Sequence, residues 1–83
     1  MRAQLVVFGR VECHLCQEMI NALKQLQKEL PFDFEVIDID GDPELRVLYN
    51  EKVPVLMAFE KQLEICHYYL DVAALNTYLA NAR

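Results

Sequence analysis

Residues 4–16 read Gln4-Leu5-Val6-Val7-Phe8-Gly9-Arg10-Val11-Glu12-Cys13-His14-Leu15-Cys16, an apolar run that stops at a glycine and leads into two thiols three residues apart. The run is short and rich in β-branched and aromatic side chains, which marks a buried strand covered on both faces. From Cys16 onward, Met19, Ile20, Leu23, Leu26 and Leu30 recur at three- and four-residue steps, separated by Gln17, Glu18, Lys24, Gln25 and Lys28. That spacing puts one apolar stripe on a helix. Pro31 has no N–H to continue the helix and predicts its end. Cys13 is therefore expected where a strand hands over to a helix, at the helix mouth.

Outward from this unit the alternation continues. Phe32, Phe34 and Val36 alternate with Asp33 and Glu35, and the run extends through Ile37 and Ile39 until Asp40-Gly41-Asp42 breaks it. Asp42 before Pro43 is a capping residue ahead of a proline at the first helical position, so a short helix from Pro43 to about Tyr49 is expected, with Leu45, Leu48 and Tyr49 inward. Val55 to Phe59 and Leu63 to Tyr69 read as two strands joined by Glu60-Lys61-Gln62. Asp71 caps a last helix whose apolar stripe is Val72, Leu75, Tyr78 and Leu79. The order is βαβαββα. A right-handed strand-helix-strand crossover gives parallel pairing at the start and the hairpin gives antiparallel pairing later, so the class is α/β with a mixed four-stranded sheet and helices on both faces. Leu5, Val7, Met19, Leu23, Leu26, Val36, Leu56 and Leu75 are the expected core.

Composition narrows the function. A chain of 83 residues is read as one domain spanning 1–83, with 54% hydrophobic and 25% charged residues, the balance of an ordinary globular fold. A net charge of −5 repels phosphate backbones, and no Lys/Arg cluster offsets it, so nucleic acid is not an expected partner. The apolar runs are only a few residues long, and Met1-Arg2-Ala3-Gln4 does not open a signal peptide; no membrane contact and a cytoplasmic location are expected. Three cysteines are too few for a disulfide scaffold, so in a reducing compartment the Cys13/Cys16 pair is read as reactive or metal-bound.

Position decides which thiol does what. The first turn of a helix presents unsatisfied N–H groups and the positive end of the macrodipole, both of which favour a thiolate. Cys13 is thus the expected nucleophile. Cys16, one turn deeper on the same side, is the expected resolving thiol, attacking the mixed disulfide that Cys13 forms. Arg10 and His14 flank the pair with positive charge, and Glu12 opposes them. Three bland alternatives stand beside these readings: two ordinary buried cysteines, a half-buried Cys66, and a His14 that fills a loop.

The run Phe8 to Cys16 resembles the strand end and active-site loop of glutaredoxins, in which an "FGR"-like lead precedes C-P-Y-C. Lys52-Val53-Pro54 resembles the family's Thr-Val-Pro, and the similarity extends over nearly the whole chain in length and element order. The resemblance implies a thioredoxin-like fold, a cis Pro54 facing the dithiol, and a Val53 whose backbone pairs with the bound substrate strand. It also implies a thiol–disulfide oxidoreductase, with a disulfide-containing protein as substrate and glutathione or a thioredoxin-reductase-like enzyme as reductant.

The departures from the family are equally specific. His14 and Leu15 stand where the family has proline and an aromatic. Cys66 and His67 stand where a Gly-Gly pair lets backbone approach glutathione, and their side chains should reshape that groove. Asp71 is offset by one from the family's acidic residue and is read as a helix cap. The chain resembles the divergent bacterial glutaredoxin-like branch without the glutathione signature: no cofactor is required, glutathione is disfavoured without being excluded, and a monomer is expected.

Two rivals to the enzyme are a non-catalytic interaction module and a metal site. Cys13, Cys16, Cys66 and His67 are the ligand types of a Cys₃His zinc centre. Adjacent Cys66 and His67 should point to opposite faces of a strand, however, so no metal ligand is assigned.

Overall fold

The computed structural model describes residues 3–81; Met1 and Arg2, half of the stretch read for a leader, lie outside the described residues. The elements are β1 (Ala3–Gly9), α1 (His14–Leu26), β2 (Phe32–Asp38), a 3₁₀ turn (Ile39–Gly41), α2 (Pro43–Tyr49), β3 (Val55–Ala58), β4 (Leu63–His67) and α3 (Val72–Asn81). The four strands lie in the order β2-β1-β3-β4. β1 pairs in parallel with β2, Leu5 opposite Phe34, and antiparallel with β3, Val7 opposite Leu56. β3 pairs antiparallel with β4. The βαβαββα order and mixed sheet match the expectation from sequence.

Being central, β1 is buried on both faces, which is why its sequence runs apolar without alternation. Leu5 and Val7 join Leu56, Phe32, Met19 and Leu23 of α1 and Leu75 of α3 in one cluster. On the opposite face Phe8 stacks on Tyr49 of α2, ring centroids 4.8 Å apart. Helices therefore cover both faces of the sheet.

Local chemistry sets the helix ends. Asp42 Oδ1 accepts the Glu44 N–H at 2.9 Å and Pro43 opens α2. Asp71 Oδ1 accepts the Ala74 N–H at 2.9 Å, and its carbonyl accepts the Leu75 N–H at 3.0 Å, so Asp71 is the cap of α3.

Several expectations need correction. α1 ends at Leu26, before Leu30 and Pro31: the Gln27 amide nitrogen donates to the Phe32 carbonyl at 3.1 Å, and Lys28 to Leu30 turn back on Gln25 and Leu26. Val36 stays 46% exposed, because β2 is an edge strand and only its start, at Phe32 and Phe34, packs on the core cluster. Leu48 is 64% exposed, since α2 meets the sheet through Tyr49, while Leu45 is half-buried. The hairpin strands stop at Ala58 and His67, and Phe59 joins Glu60, Lys61 and Gln62 in the turn. Leu26 packs against the core from its rim, and Val72 is 44% exposed at the start of α3.

Candidate functional site

The site begins at the junction of β1 and α1. Cys13 is the N-cap of α1, in an extended conformation, and its sulfur accepts the Cys16 N–H at 3.1 Å. A cap normally supplies an oxygen here; a sulfur in that place receives one of the helix's unsatisfied N–H groups. Cys13 and Cys16 are joined as a disulfide, with Cα atoms 5.1 Å apart. Their burial differs sharply: Cys16 is 1% exposed, whereas Cys13 is only partly covered. Gly9 makes that covering possible, because a Cβ at Gly9 would stand 3.0 Å from the Cys16 sulfur.

The flanking charges are arranged otherwise than the sequence suggests. Arg10 directs Nε to Asp40 Oδ1 at 3.2 Å, one terminal nitrogen to the Asn50 carbonyl at 3.3 Å and the other to the Asn50 side-chain oxygen. Its guanidinium thus bolts the loop ahead of Cys13 to the 3₁₀ turn and the end of α2. Asp40 also faces Arg46 at 3.8 Å. His14 is almost fully exposed and meets Glu18, one turn on, at 3.3 Å.

The other segment singled out from the sequence carries the proline. The Val53–Pro54 peptide bond is cis, and Pro54 is buried. Its carbonyl accepts the Tyr68 N–H at 2.8 Å. Among the described residues neither the N–H nor the C=O of Val53 has a hydrogen-bond partner. That is an open pair of backbone groups, the kind that an added strand satisfies. An open groove of about 450 Å³ lies between Val47 and Leu48 on α2 and Lys52, His67 and Tyr68.

The residues after the hairpin take their places from a bulge. Leu56 lies opposite Cys66 and Met57 opposite Glu64, so Ile65 is the extra residue of β4. Ile65 and Cys66 both pack against the core cluster. Glu64 and His67 meet each other instead, His67 Nδ1 lying 2.9 Å from Glu64 Oε2, and Lys52 pairs with the same carboxylate. Hydrogen bonding to Lys52, with His67 adding to it, holds the Glu64 carboxyl below its ordinary pKa, while Glu64 pulls the Lys52 pKa up. Burial pushes the Cys66 thiol up.

Among the described residues no group of three or more His, Cys, Asp or Glu side chains is placed to hold a metal ion. Cys66 packs against the core cluster whereas His67 is exposed, so these two neighbours face different ways. Among the described residues no helix is long and apolar enough to cross a membrane.

Sequence reasoning brought forward both thiols, Val53 and Pro54 but missed Gly9, Asp40, Asn50, Glu64 and Tyr68. Gly9 had a signal, a glycine closing a strand beside thiols. The others act through hydrogen bonds between distant segments, which no local pattern encodes.

Comparison with known proteins bears on the same residues. The family described as Glutaredoxin-like domain (DUF836) matches residues 4–80. A Nitrosomonas europaea protein solved by NMR is 51% identical, with 95% of this chain and 93% of that chain superposed at a TM-score of 0.87. A protein of X. campestris solved by X-ray crystallography is 30% identical over 95% of this chain and 99% of its own, with a TM-score of 0.74. Thioredoxin 1 of Thermosipho africanus shares the fold at 21% identity and a TM-score of 0.65, over 95% of this chain and 97% of its own. An uncharacterised protein of Mycobacterium tuberculosis is 33% identical over 61 residues, 68% of this chain and 63% of that protein. The match thus spans under two thirds of that curated relative's length. The chain belongs to the glutaredoxin-like family and has its thioredoxin fold.

Proposed function

We propose that this member of the glutaredoxin-like family is a thiol–disulfide oxidoreductase that reduces disulfides in proteins, with Cys13 as nucleophile and Cys16 as resolving thiol. The observation that carries the reading is the unequal burial of the two sulfurs: Cys16 is closed in behind Gly9, and Cys13 is the accessible partner at the helix start. An incoming disulfide meets Cys13 first.

In the reduced protein the Cys13 thiolate attacks one sulfur of the substrate disulfide and displaces the other as a thiolate, which takes a proton from water. The Cys16 N–H, bonded to the Cys13 sulfur, and the helix dipole favour that thiolate. The unpaired backbone groups of Val53 align the substrate chain in the mixed disulfide. Cys16, after losing its proton, attacks the Cys13 sulfur and expels the second substrate thiol. Two electrons have then passed to the substrate, and the Cys13–Cys16 disulfide remains. A thioredoxin-reductase-like enzyme or glutathione returns the two electrons. Cys66 and His67 edge the site without joining the transfer, and Arg10 acts by fixing the loop. A reducing cytoplasm keeps the dithiol in its working form.

Exchanging each thiol for serine tests the assignment. Cys16→Ser should accumulate mixed disulfides with substrate protein, because the resolving attack is lost. Cys13→Ser should lose turnover and trap nothing. Activity retained by Cys13→Ser, or no trapping by Cys16→Ser, would overturn the proposal.

A further inference from the structure

Tyr68 is one of two non-glycine residues with positive φ among the described residues, at 63°. Gln62, the other at 52°, closes the hairpin turn, where such a conformation is routine. Tyr68 lies beyond β4 with no tight hairpin to close, and a residue with a Cβ adopts this region only when its surroundings demand it.

A three-residue turn makes part of that demand, the Tyr69 N–H donating to the His67 carbonyl at 2.7 Å across Tyr68, and two longer-range hydrogen bonds make the rest. The Tyr68 N–H donates to the Pro54 carbonyl at 2.8 Å, and its phenolic hydroxyl donates to the Glu51 carbonyl at 2.6 Å. One residue therefore grips the segment 51–54 at both ends. Between those ends the Lys52 N–H donates to the Tyr49 carbonyl at 3.0 Å, and the Lys52 ammonium pairs with Glu64. Glu64 also takes His67, whose ring stands edge-on to Tyr68 with centroids 4.8 Å apart. Val53 sits inside this frame with its own N–H and C=O free of partners among the described residues.

We infer that Tyr68 is a positioning residue: its hydroxyl and its left-handed backbone together fix Val53 so that the open N–H and C=O face an incoming substrate strand. The inference rests on the reading of Val53 given under the proposed function. Tyr68 touches neither sulfur nor substrate in this role. It lowers the cost of binding by holding the receiving backbone in place beforehand.

The test compares wild type with Tyr68→Phe, which keeps the ring, and with Tyr68→Gly, which accepts the backbone conformation and loses the side chain. Amide hydrogen exchange reads the frame directly. The Lys52 and Tyr68 amides should exchange about fivefold faster in Tyr68→Phe, the equivalent of one ordinary hydrogen bond, with α1 amides unchanged. Tyr68→Gly should loosen Lys52 at least as much. With insulin as the disulfide substrate, KM should rise by a similar factor while kcat holds. Unaltered exchange in Tyr68→Phe, or an unaltered insulin KM in an active protein, would overturn the inference. A wild type unable to reduce insulin would count against the proposed function instead, and the exchange rates would still decide the role of Tyr68.

Discussion

Two sulfur atoms bonded to each other face different surroundings, and a glycine sets the difference. Because a Cβ on Gly9 would lie 3.0 Å from the Cys16 sulfur and 3.3 Å from its Cβ, and Cys16 is buried, neither side has room to yield. Gly9→Ala should destabilise the oxidised protein by about 1–3 kcal/mol, the usual cost of overpacking, read as a lower urea midpoint. An unchanged midpoint would mean that Cys16 shifts freely. Cys66 belongs to the same scale. Its thiol is half-buried against the core and pushed up by that burial, so iodoacetamide near neutral pH should label Cys13 in the reduced protein well before Cys66. Equal labelling rates would contradict the placement. The spacing of Cys13 and Cys16 announced the dithiol from sequence. Arg10 shows the limit of that reasoning: its closeness in sequence suggested a role at the sulfur, whereas its nitrogens go to Asp40 and Asn50, thirty and forty residues away.

Caps and a bulge decide where the elements begin and aim. Asp71→Ala removes the acceptor of the Ala74 N–H and should cost about 1 kcal/mol, measured by chemical denaturation, with the dithiol still formed. The bulge at Ile65 brings Glu64 and His67 together, and Lys52 completes the cluster. The Glu64 carboxyl titrates below its ordinary value of 4.5 in the folded protein, so the stabilisation it supplies is present above about pH 4.5 and fades as pH falls through the lower folded value. Denaturation midpoints followed from neutral pH into this acid range should fall more steeply for wild type than for Glu64→Gln; parallel profiles would remove the cluster from the stability account. Caps were readable, because Asp42 before Pro43 and Asp71 before an apolar stripe are local signals. The bulge was only half readable: the consecutive apolar residues Ile65 and Cys66 break the alternation of Leu63 to His67, but which residue is extra is fixed only by pairing with β3. The end of α1 was misplaced for a related reason: Gln27 reaches across to the Phe32 carbonyl, a contact invisible in helical spacing.

Across the whole molecule, a short chain gathers its core on one face of β1 while the other face packs on α2 through Phe8 and Tyr49. Phe32 is fully buried at the start of an edge strand. Phe32→Ala should cost about 3–5 kcal/mol, a large part of the roughly 5–15 kcal/mol that holds a small domain, and should show as a steep fall in Tm. Element order was readable in the sequence because each strand and helix carries its own periodicity. Which strand ends up at an edge is a property of the assembled sheet, and Val36 was misplaced on that account. The central claim, that this fold presents a working dithiol, is tested most directly by equilibrating the protein in a glutathione redox series and counting free thiols by mass after alkylation. The account predicts a single two-electron transition of Cys13 and Cys16 between roughly −200 and −270 mV, the span from glutaredoxins to thioredoxin, with Cys66 outside it. Both thiols remaining free at every potential, or a disulfide that no glutathione ratio reduces, would contradict it.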